Sequence, residues 1–308
     1  MLFDLHCDTI MRIYKDKTCL KTNDYHIDIN KMIKGKSSAQ FFAIFVDLKS
    51  TDNSYKTCNE MIDCLDSEIS KNNEYIQQAL NYSGILECQK INKIAAITAI
   101  EEGGVLQGSM ANLHHFYNRG VRYLTLTWNY ENELGYPNIS HKESGLKPFG
   151  IEVVKEMNKL GMLIDVSHLS DAGFWDCIKY SNSPIIASHS NARAICNHTR
   201  NMNDEMILAL KENGGVMGMN FCNSFLGDSK ISKIDDIIKH IKYIKNLAGI
   251  DIIAIGTDFD GIDGPLEIED MSKMDLLRNA LKQEGFTQDE IDKIFYKNAE
   301  RVINQVLK

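Results

Sequence analysis

Lys93-Ile94-Ala95-Ala96-Ile97-Thr98-Ala99-Ile100, followed at once by Glu101-Glu102-Gly103-Gly104, decides the reading of the fold. The run is short, apolar after its first residue and interrupted only by Thr98. It lacks the apolar–polar alternation of a half-solvated strand, so it reads as a strand buried on both faces, as in parallel sheets covered by helices. Similar runs recur at Leu2–His6, Gln40–Val46, Val121–Thr127, Met162–Val166, Pro184–Ser188, Gly215–Phe221 and Ile252–Gly256. Helical spacing occupies Tyr55–Asn81, Phe149–Leu160, Asp171–Tyr180, Asp204–Lys211 and Ile234–Leu247. Ser170 and Asp204 are the expected N-caps, and Gly120, Gly161, Gly214-Gly215 and Gly249 mark returns to strand. Eight alternating units predict an α/β fold, a (β/α)8 TIM barrel occupying residues 1–308 as one domain. An open doubly wound sheet is the structural alternative, but the first turn carries no G-x-G-x-x-G fingerprint.

Composition excludes several classes of protein. The 308 residues carry 34 Lys+Arg against 42 Asp+Glu, a formal charge of −8. A nucleic-acid partner would call for a basic stripe, so none is expected. With 44% hydrophobic and 25% charged residues the chain can bury a sizeable core and is not disordered. The apolar run at Ile94–Ile100 is far short of the ~18 residues of a membrane span. Met1–His6 has neither the basic nor the apolar region of an export signal, so a cytoplasmic location without membrane attachment is expected. The eight cysteines (Cys7, Cys19, Cys58, Cys64, Cys88, Cys177, Cys196 and Cys222) include no C-x-x-C pair, and reduced thiols are the simplest reading.

A barrel of this kind gathers its chemistry where the strands end. The first run ends in His6-Cys7-Asp8, and residues i and i+2 of an extended chain point the same way. Imidazole nitrogen and carboxylate oxygen both suit zinc, although a lone H-x-D is more often a satisfied polar pair. Glu101 and Glu102 close an apolar strand, a costly arrangement unless one reaches solvent and the other a cation. A helix-start carboxylate is the plainer reading, and the double glycine would let backbone approach a ligand. Asp165-Val166-Ser167-His168 and Ser188-His189-Ser190 each place a histidine at a strand end, where singly it is more often a hydrogen-bonded core residue. Together, three histidines, an aspartate and a glutamate suffice for two metals sharing a carboxylate. Asp258, first after the last strand, sits on the same rim and could bind an ammonium or carry protons, with Asp260 as second choice. His26 and His240 are expected at the surface, His114 and His115 on a helix, and Met217 and Met219 in the core.

The order and spacing of these motifs resemble the renal or membrane dipeptidase family of binuclear zinc peptidases, in a prokaryotic cytoplasmic form. The resemblance runs through the whole chain. It rests on His6 and Asp8, Glu102-Gly103-Gly104, Arg122–Thr127, Asp165–His168, Ser188–Ser190, Arg200-Asn201, Gly256–Gly261, Glu269–Lys273 and Asn298–Val302. It implies a metal-dependent hydrolase barrel with two Zn2+, or Mn2+ or Co2+ on the same donors. His6 and Asp8 would hold one metal, His168 and His189 the other, and Glu102 would bridge them and act in catalysis. Arg200 would hold the substrate's terminal carboxylate, and Asp258 would meet the amino group or move protons. A metal-bridging hydroxide would attack the peptide bond of a dipeptide, and the protein would be a homodimer. Mammalian members carry a substrate-contacting histidine after the T-L-T run. Trp128 stands there in this chain, and His141, further along the same segment, is the other candidate for that contact. The alternatives are another binuclear hydrolase, acting on a lactone, cyclic amide or phosphoester, and a non-catalytic metal- or peptide-binding barrel.

Overall fold

In the computed structural model, which describes residues 1–140 and 143–308, the apolar run at 93–100 becomes the longest strand. The described strands are β1 (Phe3–Asp4), β2 (Ala39–Phe45), β3 (Ile76–Gln78), β4 (Ile94–Glu101), β5 (Val121–Thr125), β6 (Leu163–Asp165), β7 (Ile186–Ala187), β8 (Val216–Met219) and β9 (Ile253–Ile255). All pairings between them are parallel. Eight of them close into a barrel in the order β1, β2, β4, β5, β6, β7, β8, β9. Closure comes from β9 against β1, and from β2 against β4 in a continuous register from Ala39↔Ala95 to Phe45↔Glu101. The expected (β/α)8 barrel is the fold.

β3 was not expected. It pairs with Ile94–Ala96, ahead of the point where β5 joins β4 at Thr98. The single helix expected over Tyr55–Asn81 is therefore interrupted: a helix spans Ser54–Lys71, and after β3 another spans Tyr82–Lys90. Three residues are too few for a periodicity to register. The later helices, Pro148–Leu160, Asp171–Tyr180, Asp204–Glu212 and Ile234–Ala248, lie close to expectation. Ser170 does cap its helix, accepting from the Gly173 amide at 3.0 Å. Asn203, not Asp204, caps the next, accepting from Met206 at 2.9 Å. Among the described residues no helix is long and apolar enough to cross a membrane.

Both faces of the strands are buried. β4 sends Ala95, Ile97 and Ala99 inward, to a cluster with Phe3, Phe41, Tyr123 and Leu163. It sends Ala96 and Ile100 outward against the helices. The closing helix, Asn298–Val306, adds Val302 and Val306 to the inner cluster, and the Asn298 amide donates to the Ile250 and Ile253 carbonyls at 2.8 Å. That end of the barrel is thereby sealed, and the strand carboxyl ends stay free for chemistry.

His240, expected at the surface, is fully buried. Its Nδ1 accepts from the Ala192 amide and its Nε2 donates to the Leu226 carbonyl, each at 3.1 Å, so it staples the loops after β7 and β8. His26 is half-buried, its Nδ1 accepting from the Asp260 amide at 3.0 Å. Burial pushes the His240 imidazole down to about 4, against ~6.5 in an unfolded chain. The unfolded chain thus takes the proton first. The contribution is complete above about pH 6.5 and is lost as pH falls towards 4, by up to about 3 kcal/mol. Urea unfolding should show wild type losing more stability than His240→Gln between pH 6.5 and 4.5; parallel losses would refute the assignment.

Candidate metal centre

Three histidines converge where β1, β6 and β7 end, and their hydrogen bonds settle which nitrogen is free. The Tyr123 hydroxyl donates to the Leu5 carbonyl at 3.1 Å, so at 2.7 Å it must accept from His6 Nδ1. The Ser188 hydroxyl donates to Asp165 Oδ2 and accepts from His189 Nδ1, both at 2.7 Å. His168 Nδ1 donates to Asn129 Oδ1 at 3.0 Å. Every Nδ1 carries its proton outward, and every Nε2 turns a lone pair into one space. His168 Nε2 and His189 Nε2 lie 3.0 Å apart. Two lone pairs at that distance repel unless an electron acceptor stands by them, which is the environment a cation requires.

The carboxylates complete the donor set. Glu101 Oε2 is 3.2 Å from His6 Nε2, while Oε1 is 3.1 Å from His168 Nε2 and 3.7 Å from His189 Nε2. Asp8 Oδ2 and Asp258 Oδ1 lie 3.4 and 3.9 Å from His6 Nε2. Two groups have the spacing of a metal site, His6 with Glu101 and His189, and His6 with Asp8 and Asp258. None of these residues is more than 8% exposed. His6 Nε2 and Asp8 Oδ1 have no hydrogen-bond partner among the described residues. Burial, then Glu101, raises the Asp8 carboxyl well above its usual range, and burial pushes Asp258 up to about 6. Burial would raise Glu101 too, but an Nε2 proton on His6 or His168, standing where a cation would, holds it well below its usual range. So many buried ionisable groups are tolerable around divalent cations and costly without them, and the residues fit the pair of metals that the sequence implies.

The expectation for Glu102 is corrected: the structure brings Glu101, not Glu102, into the cluster. β4 points its odd-numbered residues inward, and Glu101 is the last of them. Glu102 lies beyond the strand with φ +102° and caps the turn Gly103–Leu106. Its carboxylate accepts from the Gly104 amide at 2.7 Å, the Trp128 amide at 3.1 Å and the Asn132 side chain. Burial pushes it up to about 7. The glycines serve packing, not ligand approach: a Cβ on Gly103 would stand 2.5 Å from the Leu126 carbonyl oxygen, and one on Gly104 2.7 Å from Leu48.

Arg200 sits in the loop after β7, 3% exposed. Its Nη2 donates to the His189 carbonyl at 3.2 Å, while Nε and Nη1 have no partner among the described residues. Asp258 is held by the Asn220 amide, which donates to its Oδ2 at 2.8 Å. Asn220 is itself locked to Asn191 through two bonds, its own amide N–H to Asn191 Oδ1 and Asn191 Nδ2 to its carbonyl. Asp260 turns away and accepts from Thr9 and the His26 amide. Asp8, Glu101, His168, Asp258 and Trp128 border a cavity of about 330 Å3. The Trp128 ring lies 6.3 Å from His168 and 4.7 Å from Phe45. His141 lies outside the described residues. Glu102, His168 and Asp258 all adopt positive φ, at 102°, 66° and 60°.

Sequence reasoning had Glu101 beside Glu102 as a strand-end carboxylate but gave the metal to Glu102, and it missed Tyr123, Asn129 and Asn220. Strand alternation would have indicated Glu101 and Tyr123 once one inward residue was known; Asn129 and Asn220 carry no local signal.

Comparisons with known proteins agree with this geometry. The family described as membrane dipeptidase (peptidase family M19) matches residues 1–308. An uncharacterised dipeptidase of Schizosaccharomyces pombe is 33% identical over 296 residues, covering 90% of this chain and 71% of that protein. An uncharacterised Klebsiella pneumoniae protein encoded in the pqqA 5′ region is 36% identical over 241 residues, 75% of this chain and 89% of its own. A Rhodobacter sphaeroides metallopeptidase solved with a phosphinate mimic of L-Ala-D-Ala superimposes with a TM-score of 0.92 at 23% identity, covering 99% of both chains.

Proposed function

The chain belongs to the membrane dipeptidase family, peptidase family M19, and on that premise we propose that it hydrolyses dipeptides with two divalent cations, Zn2+ by expectation. The observation that carries this reading is the Glu101 carboxylate, one oxygen facing His6 and the other facing His168 and His189. His6, Asp8 and Glu101 would hold one cation, and Glu101, His168 and His189 the other. Such a pair, when bound, lowers the pKa of a shared water and polarises a substrate carbonyl.

The chain's own groups do the rest. Tyr123, Asn129 and Ser188 keep each imidazole in the tautomer that presents Nε2. Arg200, with Nε and Nη1 unpartnered, offers its planar guanidinium to the substrate's terminal carboxylate. Asp258, with Oδ2 fixed by Asn220, keeps Oδ1 for the substrate ammonium or for a proton in transit. Burial raises this carboxyl above the usual aspartate range, which favours a group that takes a proton and returns it. Anchoring both charged ends limits the substrate to two residues, since a longer peptide would leave one anchor unpaired.

Chelation should abolish cleavage of Ala-Ala, and added Zn2+ should restore it, with Mn2+ and Co2+ as the other metals to try. Undiminished cleavage by metal-free protein would defeat the proposal.

A further inference from the structure

The catalytic cavity does not stand alone. A second cavity, of about 500 Å3, lies beside it, and Met11 and Phe45 line both. Met11 belongs to the helix Thr9–Asp16 after β1, and Phe45 is the last residue of β2. Both are partly exposed, so they form a thin partition and not part of the deep core. Trp128, ring to ring with Phe45, continues the apolar wall towards His168.

Barrel order says which part of a substrate meets this wall. β2 and β7 are four strands apart in either direction round the barrel, so they face each other across the mouth. Arg200 lies in the loop after β7 and is bonded to the His189 carbonyl. A dipeptide with its carboxylate on Arg200 and its ammonium on Asp258, which follows β9, has its amino-terminal residue beside β1, the neighbour of β9, and so near Met11 and Phe45, which line the same cavity as Asp258.

We propose that the cavity beyond Met11 and Phe45 receives the side chain of the substrate's amino-terminal residue and selects bulky uncharged side chains. This rests on the dipeptidase reading above. Val46 and Met61 extend the apolar lining behind the partition. Lys15 and Asp47 both stand at its wall, so their fields oppose each other and favour neither sign of charge. Discrimination is then by apolar area removed from water.

The test is kcat/KM of the zinc-loaded protein on Gly-Ala, Ala-Ala, Leu-Ala, Phe-Ala, Trp-Ala, Lys-Ala and Glu-Ala. The value should climb from Gly-Ala to Phe-Ala by about 30-fold or more, with Lys-Ala and Glu-Ala below Leu-Ala. Thr57→Phe, which fills the second cavity from its wall, should cut the Phe-Ala to Gly-Ala ratio about tenfold. Met11→Ala, which removes half of the partition, should raise Trp-Ala relative to Phe-Ala, and it keeps the test open if Thr57→Phe does not fold. A flat series, or ratios unmoved by the variants, overturns the side-chain pocket while Gly-Ala cleavage leaves the dipeptidase reading intact. No cleavage of any member overturns that reading and this one with it.

Discussion

Glu101→Gln should lower kcat/KM on Ala-Ala by at least about a thousandfold, while Glu102→Gln should lower it by no more than about tenfold. Glutamine keeps the shape of Glu101 but removes its charge. It also turns an N–H donor towards one group of imidazoles and leaves an oxygen for the other. Two cations would then share a site with one negative charge fewer, and metal content should fall together with activity. Glutamine at 102 retains an acceptor for the Gly104 amide and the Asn132 side chain, and weakens chiefly the bond to the Trp128 amide. Its cost should appear as about 1–2 kcal/mol of stability. Metal analysis and steady-state rates on the two variants decide the matter. If Glu102→Gln were the more damaging, the expectation drawn from the E-G-G motif would stand after all.

Arg200→Ala should divide substrates by their carboxyl end. A guanidinium buried with Nε and Nη1 unpartnered is costly to the resting protein. A carboxylate seated there removes that cost and adds a bidentate pair. Breaking such a buried pair is worth about 3–5 kcal/mol, so kcat/KM for free Ala-Ala should fall by about a hundredfold to several thousandfold. Ala-Ala amide, which brings no charge to Arg200, should fall little. Arg200→Lys should recover only part of the loss, because a point charge cannot replace the planar fork. Equal losses on acid and amide would remove Arg200 from substrate recognition. A thermal melt of Arg200→Ala without substrate should match or exceed wild type, which separates a binding role from a structural one.

The barrel could be read from sequence because most of its strands lie in short, largely apolar runs without strict alternation, a pattern that few folds need. The same property hid the identity of the inward glutamate. In β4 the inward residues Ala95, Ile97 and Ala99 and the outward residues Ala96 and Ile100 are equally apolar. Alternation therefore existed without a label to say which face was inside. His6, Asp8, His168, His189 and Asp258 were legible because each lies within four residues of its strand's carboxyl end. The residues that orient them were not: Asn129 and Asn220 are far in sequence from His168 and Asp258, and only closure of the barrel brings them together. His240 failed for a related reason. A histidine on an amphipathic helix looks solvated until the loops it bonds fold over it.

The left-handed backbone at Glu102, His168 and Asp258 has a bearing on how this protein would respond to selection. A non-glycine residue in that conformation costs about 1–2 kcal/mol, and these residues sit at the mouth of the barrel. Glycine would relieve each position, yet at 168 and 258 it would delete the side chain on which the proposed activity depends. Laboratory evolution for heat resistance alone should therefore drift towards glycine at 168 and 258, but not at 102, where the carboxylate holds three buried donors, and yield sturdy, inert barrels. Selection that alternates heating with turnover should leave them untouched and gather its improvements elsewhere. The conformations of His168 and Asp258 thus mark where durability and catalysis pull the sequence in opposite directions.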